Sequence, residues 1–97
     1  MAITVLLSAQ THPDKYEALE ALLAKCLPET RAYAGCIGID IYEDVEQKGK
    51  LVFYENWESK NAYLAYLNWR TEQGVMEEIG SLLVSPPEIK YYDKLPI

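Results

Sequence analysis

Residues 51–69, LVFYENWESKNAYLAYLNW, constrain the fold more than any other stretch of the chain. Leu51, Val52, Phe53 and Tyr54 are the aliphatic, β-branched and aromatic types that favour a strand, and Trp57 closes the run. Ser59 stops that strand and can cap a helix through its hydroxyl. Tyr63, Tyr66, Leu67 and Arg70 then recur at three- and four-residue spacing, which is one face of a helix. Strand, cap and aromatic helix together form one wall of a pocket. Leu51, Phe53 and Trp57 share one face of the strand and Val52 and Tyr54 the other, so both faces need cover.

The rest of the chain supplies matching elements. Residues 3–9 alternate Ile3, Val5, Leu7 and Ala9 against Thr4, Leu6 and Ser8, which is a strand. Thr11 with Asp14 three residues on has the form of a capping box, and Pro13 suits a first helical turn. A helix follows with Tyr16, Leu19, Leu23, Cys26, Leu27 and Thr30 on one face. Pro28 predicts a kink or restart in it, and Gly35 a left-handed cap beyond it. Residues 36–42 read as a second strand with Ile37, Ile39 and Ile41 on one side, and residues 43–49 as an acidic hairpin loop. The strand of residues 50–57 and a helix over residues 60–71, stopped by Gly74, come next. Val75, Met76, Ile79, Leu82 and Leu83 predict a further short helix, ended by Pro86 and Pro87. Residues 89–93 make a fourth strand, and Leu95, Pro96 and Ile97 an apolar tail.

The order β-α-β-β-α-β predicts an α+β, ferredoxin-like domain over residues 1–97, a four-stranded antiparallel sheet with its helices on one face. The other face, carrying Val52, Tyr54 and Leu6, would be an uncovered apolar patch in a lone subunit. The same face of a second copy, related by a two-fold axis, is the simplest cover, and the tail could reach across to it. A homodimer through the sheet faces is therefore expected.

A net charge of −6 argues against nucleic acid and against an anionic membrane surface as partners. No apolar run approaches the length of a bilayer span, and the N-terminal segment lacks the basic region of a signal peptide, so a cytoplasmic location is expected. Cys26 and Cys36 fit neither metal spacing nor a disulfide framework and read as small buried hydrophobes. The acidic run Asp40, Glu43, Asp44, Glu46 lacks the glycine and ligand spacing of a calcium loop. His12, beside Pro13 and Asp14, reads as an exposed helix cap. With no phosphate-binding or dinucleotide glycine motif, neither metal nor nucleotide cofactor is expected.

Gly35-Cys36 at the head of strand two, Glu55-x-Trp57-x-Ser59 leaving strand three, and Ala62 and Leu67 on the next helix resemble the antibiotic biosynthesis monooxygenase family. The resemblance implies a dimeric α+β barrel. The family includes cofactor-free oxygenases of polyketide and quinol-like aromatics, haem-degrading enzymes and an isomerase of a phosphorylated signalling molecule. Where many members carry a His, this chain has Tyr66. The Asn, Trp and His of the haem-degrading branch fall at about Ser8, Tyr66 and Met76, so that branch is disfavoured. Trp57 and Tyr63 stand where the oxygenase branch has its Trp and Tyr, which implies a cofactor-independent monooxygenase of a quinol-like or polycyclic aromatic.

On that basis Trp57, Tyr63 and Tyr66 are the candidate catalytic residues. Tyr42, Tyr54, Glu55, Trp69 and Arg70 are the candidate substrate-binding residues, flat rings and polar groups suited to a planar aromatic and its anion. Glu55, inside an apolar strand, is either a desolvated base or a buried partner of Arg31 or Arg70. Arg70 either binds an oxyanion or pairs with Glu72 or Glu77. The same rings also suit core and dimer packing, and two other functions compete. One is a small-metabolite binding or isomerase barrel without oxygen chemistry; the other is a non-catalytic dimeric stress protein.

Overall fold

Alternation of apolar and polar side chains produces four strands, and three-to-four-residue spacing produces the helices between them. In the computed structural model, which describes residues 2–97, they are β1 (Ile3–Gln10), α1 (Tyr16–Ala32), β2 (Cys36–Glu43), β3 (Lys50–Trp57), α2 (Lys60–Glu72), α3 (Val75–Ser81) and β4 (Glu88–Tyr92). The sheet is antiparallel in the order β2-β3-β1-β4, so β3 and β1 are central. This is the ferredoxin-like α+β arrangement expected from the sequence.

Register fixes which residues face the helices. Leu51, Phe53, Glu55 and Trp57 of β3 are buried, beside Val5, Leu7 and Ala9 of β1. Leu19 and Leu23 of α1 pack against Leu7, Phe53 and Ile39, and Tyr63 of α2 packs on Val5 and Trp57. The helix faces run as their spacing predicts, with Leu19, Leu23, Cys26 and Thr30 buried on α1, and Tyr63 and Arg70 on α2. Ser59 caps α2 by accepting the Ala62 N–H at 3.1 Å. Gly74, at φ 79°, ends the α2 turn and opens α3. Such a left-handed backbone is open to glycine without steric penalty.

Four local expectations are corrected. Thr11 does not form a capping box: its hydroxyl donates to the Leu82 carbonyl at 3.0 Å, and its backbone bridges Leu83. The Thr11 side chain is thus held against the distant Leu82 carbonyl and accepts no N–H from the next turn; a 3-10 turn over Pro13–Lys15, opened by His12, precedes α1. Helix α1 does not restart at Pro28; it runs unbroken through Ala32, held on both sides of the proline by packing of Cys26 and Thr30. Gly35 is left-handed (φ 91°), but it lies in the turn before β2, while Tyr33 caps the helix. In β2, a bulge between Cys36 and Gly38 leaves Ile37 unpaired, 58% exposed, and gives its place on the core side to Cys36.

Candidate functional site

The core face of β3 would be a continuous apolar row but for Glu55, which is only 2% exposed. Across the sheet it lies between Ile39 of β2 and Val5 of β1, both apolar and buried. Trp57, two residues along and fully buried, donates its indole N–H to Glu55 Oε1 at 3.1 Å. Burial pushes the carboxyl up to about 7, against the pull of that indole bond. The pairing with Arg31 or Arg70 expected as one alternative is absent, because both guanidiniums have other partners. Arg31 donates to the Ile39 carbonyl and lies 3.6 Å from Asp40.

Helix α2 lays its aromatic face over this carboxyl. Tyr63 meets Trp57 edge-on at 5.5 Å between centroids and Tyr91 of β4 at 5.9 Å. Its hydroxyl is buried with no hydrogen-bond partner among the described residues. Burial raises the Tyr63 pKa far above the ordinary phenol range, with Glu55 adding to the effect. A phenol held neutral in this way can only donate or accept a hydrogen bond. One turn on, Tyr66 packs on Trp57 at 5.0 Å, and its hydroxyl lies 2.7 Å from Thr30 Oγ1.

Glu55, Tyr63 and Tyr66 line one cavity of about 40 Å³ between sheet and helices, together with Phe53, Cys26 and Met76. That volume accommodates one or two water-sized molecules. Trp57 stands behind this wall as the support of Glu55. Helix α3 forms part of the wall through Val75, Met76 and Ile79, yet buries none of its side chains fully.

Arg70 is 2% exposed and its donors are engaged within the protein. Nε donates to the Tyr66 hydroxyl at 3.1 Å, Nη1 to Gln73 Oε1 at 3.2 Å, and Nη2 to the Cys26 carbonyl at 2.9 Å and Thr30 Oγ1 at 3.1 Å. Its ion-pair partner is Glu29 at 3.6 Å, in place of the expected Glu72 or Glu77. Burial alone would lower the guanidinium pKa; the Tyr66 bond and nearby Glu29 outweigh it and hold the pKa raised. This arginine locks α2 to α1 and orients Tyr66 rather than facing a ligand.

Trp69 lies outside the cavity, stacked on Tyr33 at 5.0 Å with the Arg70 guanidinium 4.5 Å from its ring. Tyr42 and Tyr54 are on the opposite face of the sheet, both exposed, as their registers with Val52 and Leu6 require. The period-two geometry of β3 separates Tyr54 from Glu55, so these two candidates cannot share one pocket. Sequence reasoning missed Tyr33, Tyr91 and Glu29. Tyr33 follows Thr30 at helical spacing, a signal that could have placed it on the buried face of α1.

Fold and cavity together define a ferredoxin-like α+β domain with a buried carboxyl in a largely apolar site between sheet and helices. The family model of antibiotic biosynthesis monooxygenase matches residues 2–74, and the chain belongs to that family. No curated protein matches the sequence. Among solved structures, Rv0793 from Mycobacterium tuberculosis is 30% identical over 100% of this chain and 98% of its own, with a TM-score of 0.80. A conserved protein from Methanosarcina mazei Go1 is 23% identical over 98% of this chain and 94% of its own, with a TM-score of 0.90. An antibiotic biosynthesis monooxygenase shares 18% identity over 97% of this chain and 99% of its own, with a TM-score of 0.88. The likenesses below 25% identity speak for the fold alone. No helix among the described residues is long and apolar enough to cross a membrane.

Proposed function

We propose that this protein is a cofactor-independent monooxygenase of a quinol-like or polycyclic aromatic small molecule, working as a homodimer. The observation that carries the reading is the buried Tyr63 hydroxyl, unpartnered on a residue that lines the cavity, with its ring edge-on to Trp57. A buried polar atom without a partner costs about 1–3 kcal/mol, so its retention at a cavity wall favours a ligand as its missing partner. In such a reaction the substrate supplies the electrons. The protein supplies an apolar site and groups that stabilise the substrate anion.

An aromatic ring exceeds the cavity of about 40 Å³, so accommodating one needs a wall to move. Helix α3 suits that role: it buries no side chain fully and begins at the Gly74 joint. The dimer is supported by the outer sheet face. Its centre is neutral, formed by Thr4, Leu6, Ser8, Val52, Tyr54 and Asn56, while Asp40, Glu88 and Lys90 lie on the edge strands. A neutral centre with a charged rim is the anatomy of an interface.

The test is oxygen uptake by purified protein with a panel of hydroquinones and anthrones, without added flavin or metal. Uptake that depends on protein and substrate together supports the reading. No uptake across the panel would overturn it and favour a binding or isomerase barrel.

A further inference from the structure

Glu55 has no structural partner that accounts for its charge. The three ion pairs among the described residues involve Asp40, Glu29 and Glu88, and none reaches it. Its cross-strand neighbours are apolar and its side chain lines the cavity; the hydrogen bond from Trp57 engages Oε1, and Oε2 has no hydrogen-bond partner among the described residues. A buried carboxylate without a cation is unfavourable, and an apolar residue would pack this position without penalty.

Building on the oxygenase reading above, we propose that Glu55 is the catalytic base, taking the substrate's proton at Oε2 while Trp57 fixes the carboxyl through Oε1. The titratable groups around it are Cys36 from β2, Tyr63 and Tyr66 from α2 and Cys26 from α1, with Tyr91 of β4 against Tyr63, while α3 brings only Val75, Met76 and Ile79. Arg70 bonds the Tyr66 hydroxyl and has its donors engaged within the protein. Burial places the carboxyl at about 7, where a base can both accept and return a proton near neutrality.

With an anthrone the step balances as follows. A methylene C–H bond breaks, its proton goes to Oε2, and the electron pair enters the enolate. The enolate passes one electron to dioxygen, and the carbon radical and superoxide join in a C–O bond. The peroxide takes the proton back from Glu55. Oε2 then removes the second methylene proton as the C=O bond forms and the O–O bond breaks, and the departing hydroxide leaves as water with that proton. One dioxygen is consumed, one water is released, and Glu55 ends as it began.

The experiment has an aerobic and an anaerobic arm, each with anthrone and purified protein. In air, kcat/KM of the wild type rises to a plateau through about pH 7. Glu55→Gln lowers it by about 10²–10⁴-fold and removes the pH dependence, while Glu55→Asp keeps the limb at a reduced rate. Without oxygen, the wild type shows the enolate absorbance of bound anthrone and Glu55→Gln does not. An enolate band of equal strength in Glu55→Gln, or an unchanged rate and pH limb, overturns the proposal. Enolate without oxygen uptake leaves Glu55 as the base and removes the oxygenase reading instead.

Discussion

A residue whose polar group lacks a partner separates fold from function. Tyr63→Phe removes a buried, unsatisfied hydroxyl and keeps the ring between Trp57 and Tyr91. The variant is expected to gain about 1 kcal/mol in urea unfolding, with oxygen uptake reduced. Glu55 gives a second test. Its folded-state pKa lies above its ordinary 4.5, at about 7. Stability linked to it is fully present below about 4.5 and is lost as the pH rises through about 7, because the folded state must then ionise a buried group. Glu55→Gln should therefore match the wild type near pH 4.5 and exceed it at pH 8 by up to about 3 kcal/mol, read from denaturation midpoints across that range. The burial of Glu55 was legible in sequence, since it alternates with Leu51, Phe53 and Trp57. The identity of its partner was not, because the Trp57 indole competes with two arginines whose partners come from other elements.

At the scale of elements, the turn before β2 approaches helix α2 closely at Gly35. A Cβ at Gly35 would lie 2.5 Å from Ala62 Cβ, and the backbone there has φ 91°. Gly35→Ala combines a steric clash with a left-handed strain of about 1–2 kcal/mol. A loss of about 2–4 kcal/mol is expected in thermal or urea unfolding. The strands, the helices and their order were readable because alternation and helical spacing are properties of each segment alone. The bulge at Ile37 was not, because an extra residue is fixed by the pairing of Cys36 and Gly38 with Trp57 and Asn56 on β3. The same holds for Thr11, whose acceptor Leu82 is 71 residues away, and for Glu29, which meets Arg70 only once α1 and α2 are packed.

For the whole molecule, the outer sheet face, which no helix covers, carries the apolar residues Leu6, Val52 and Tyr54. Leu6 sits near its middle, paired across the strands with Tyr54 and Lys90. If the protein is the proposed homodimer, Leu6→Lys should leave it monomeric at micromolar concentration in sedimentation velocity, while circular dichroism stays unchanged. The two tryptophans give the molecule a built-in optical gauge. Trp57 is sealed from water and bonded to Glu55, whereas Trp69 is half-buried and stacked on Tyr33. Their emission bands should differ in wavelength, the Trp57 band at the blue end, and only that band should respond when the neighbouring acid gains or loses its proton. Fluorescence of the unlabelled protein would then follow events inside the enclosure, with Trp69 as the internal reference.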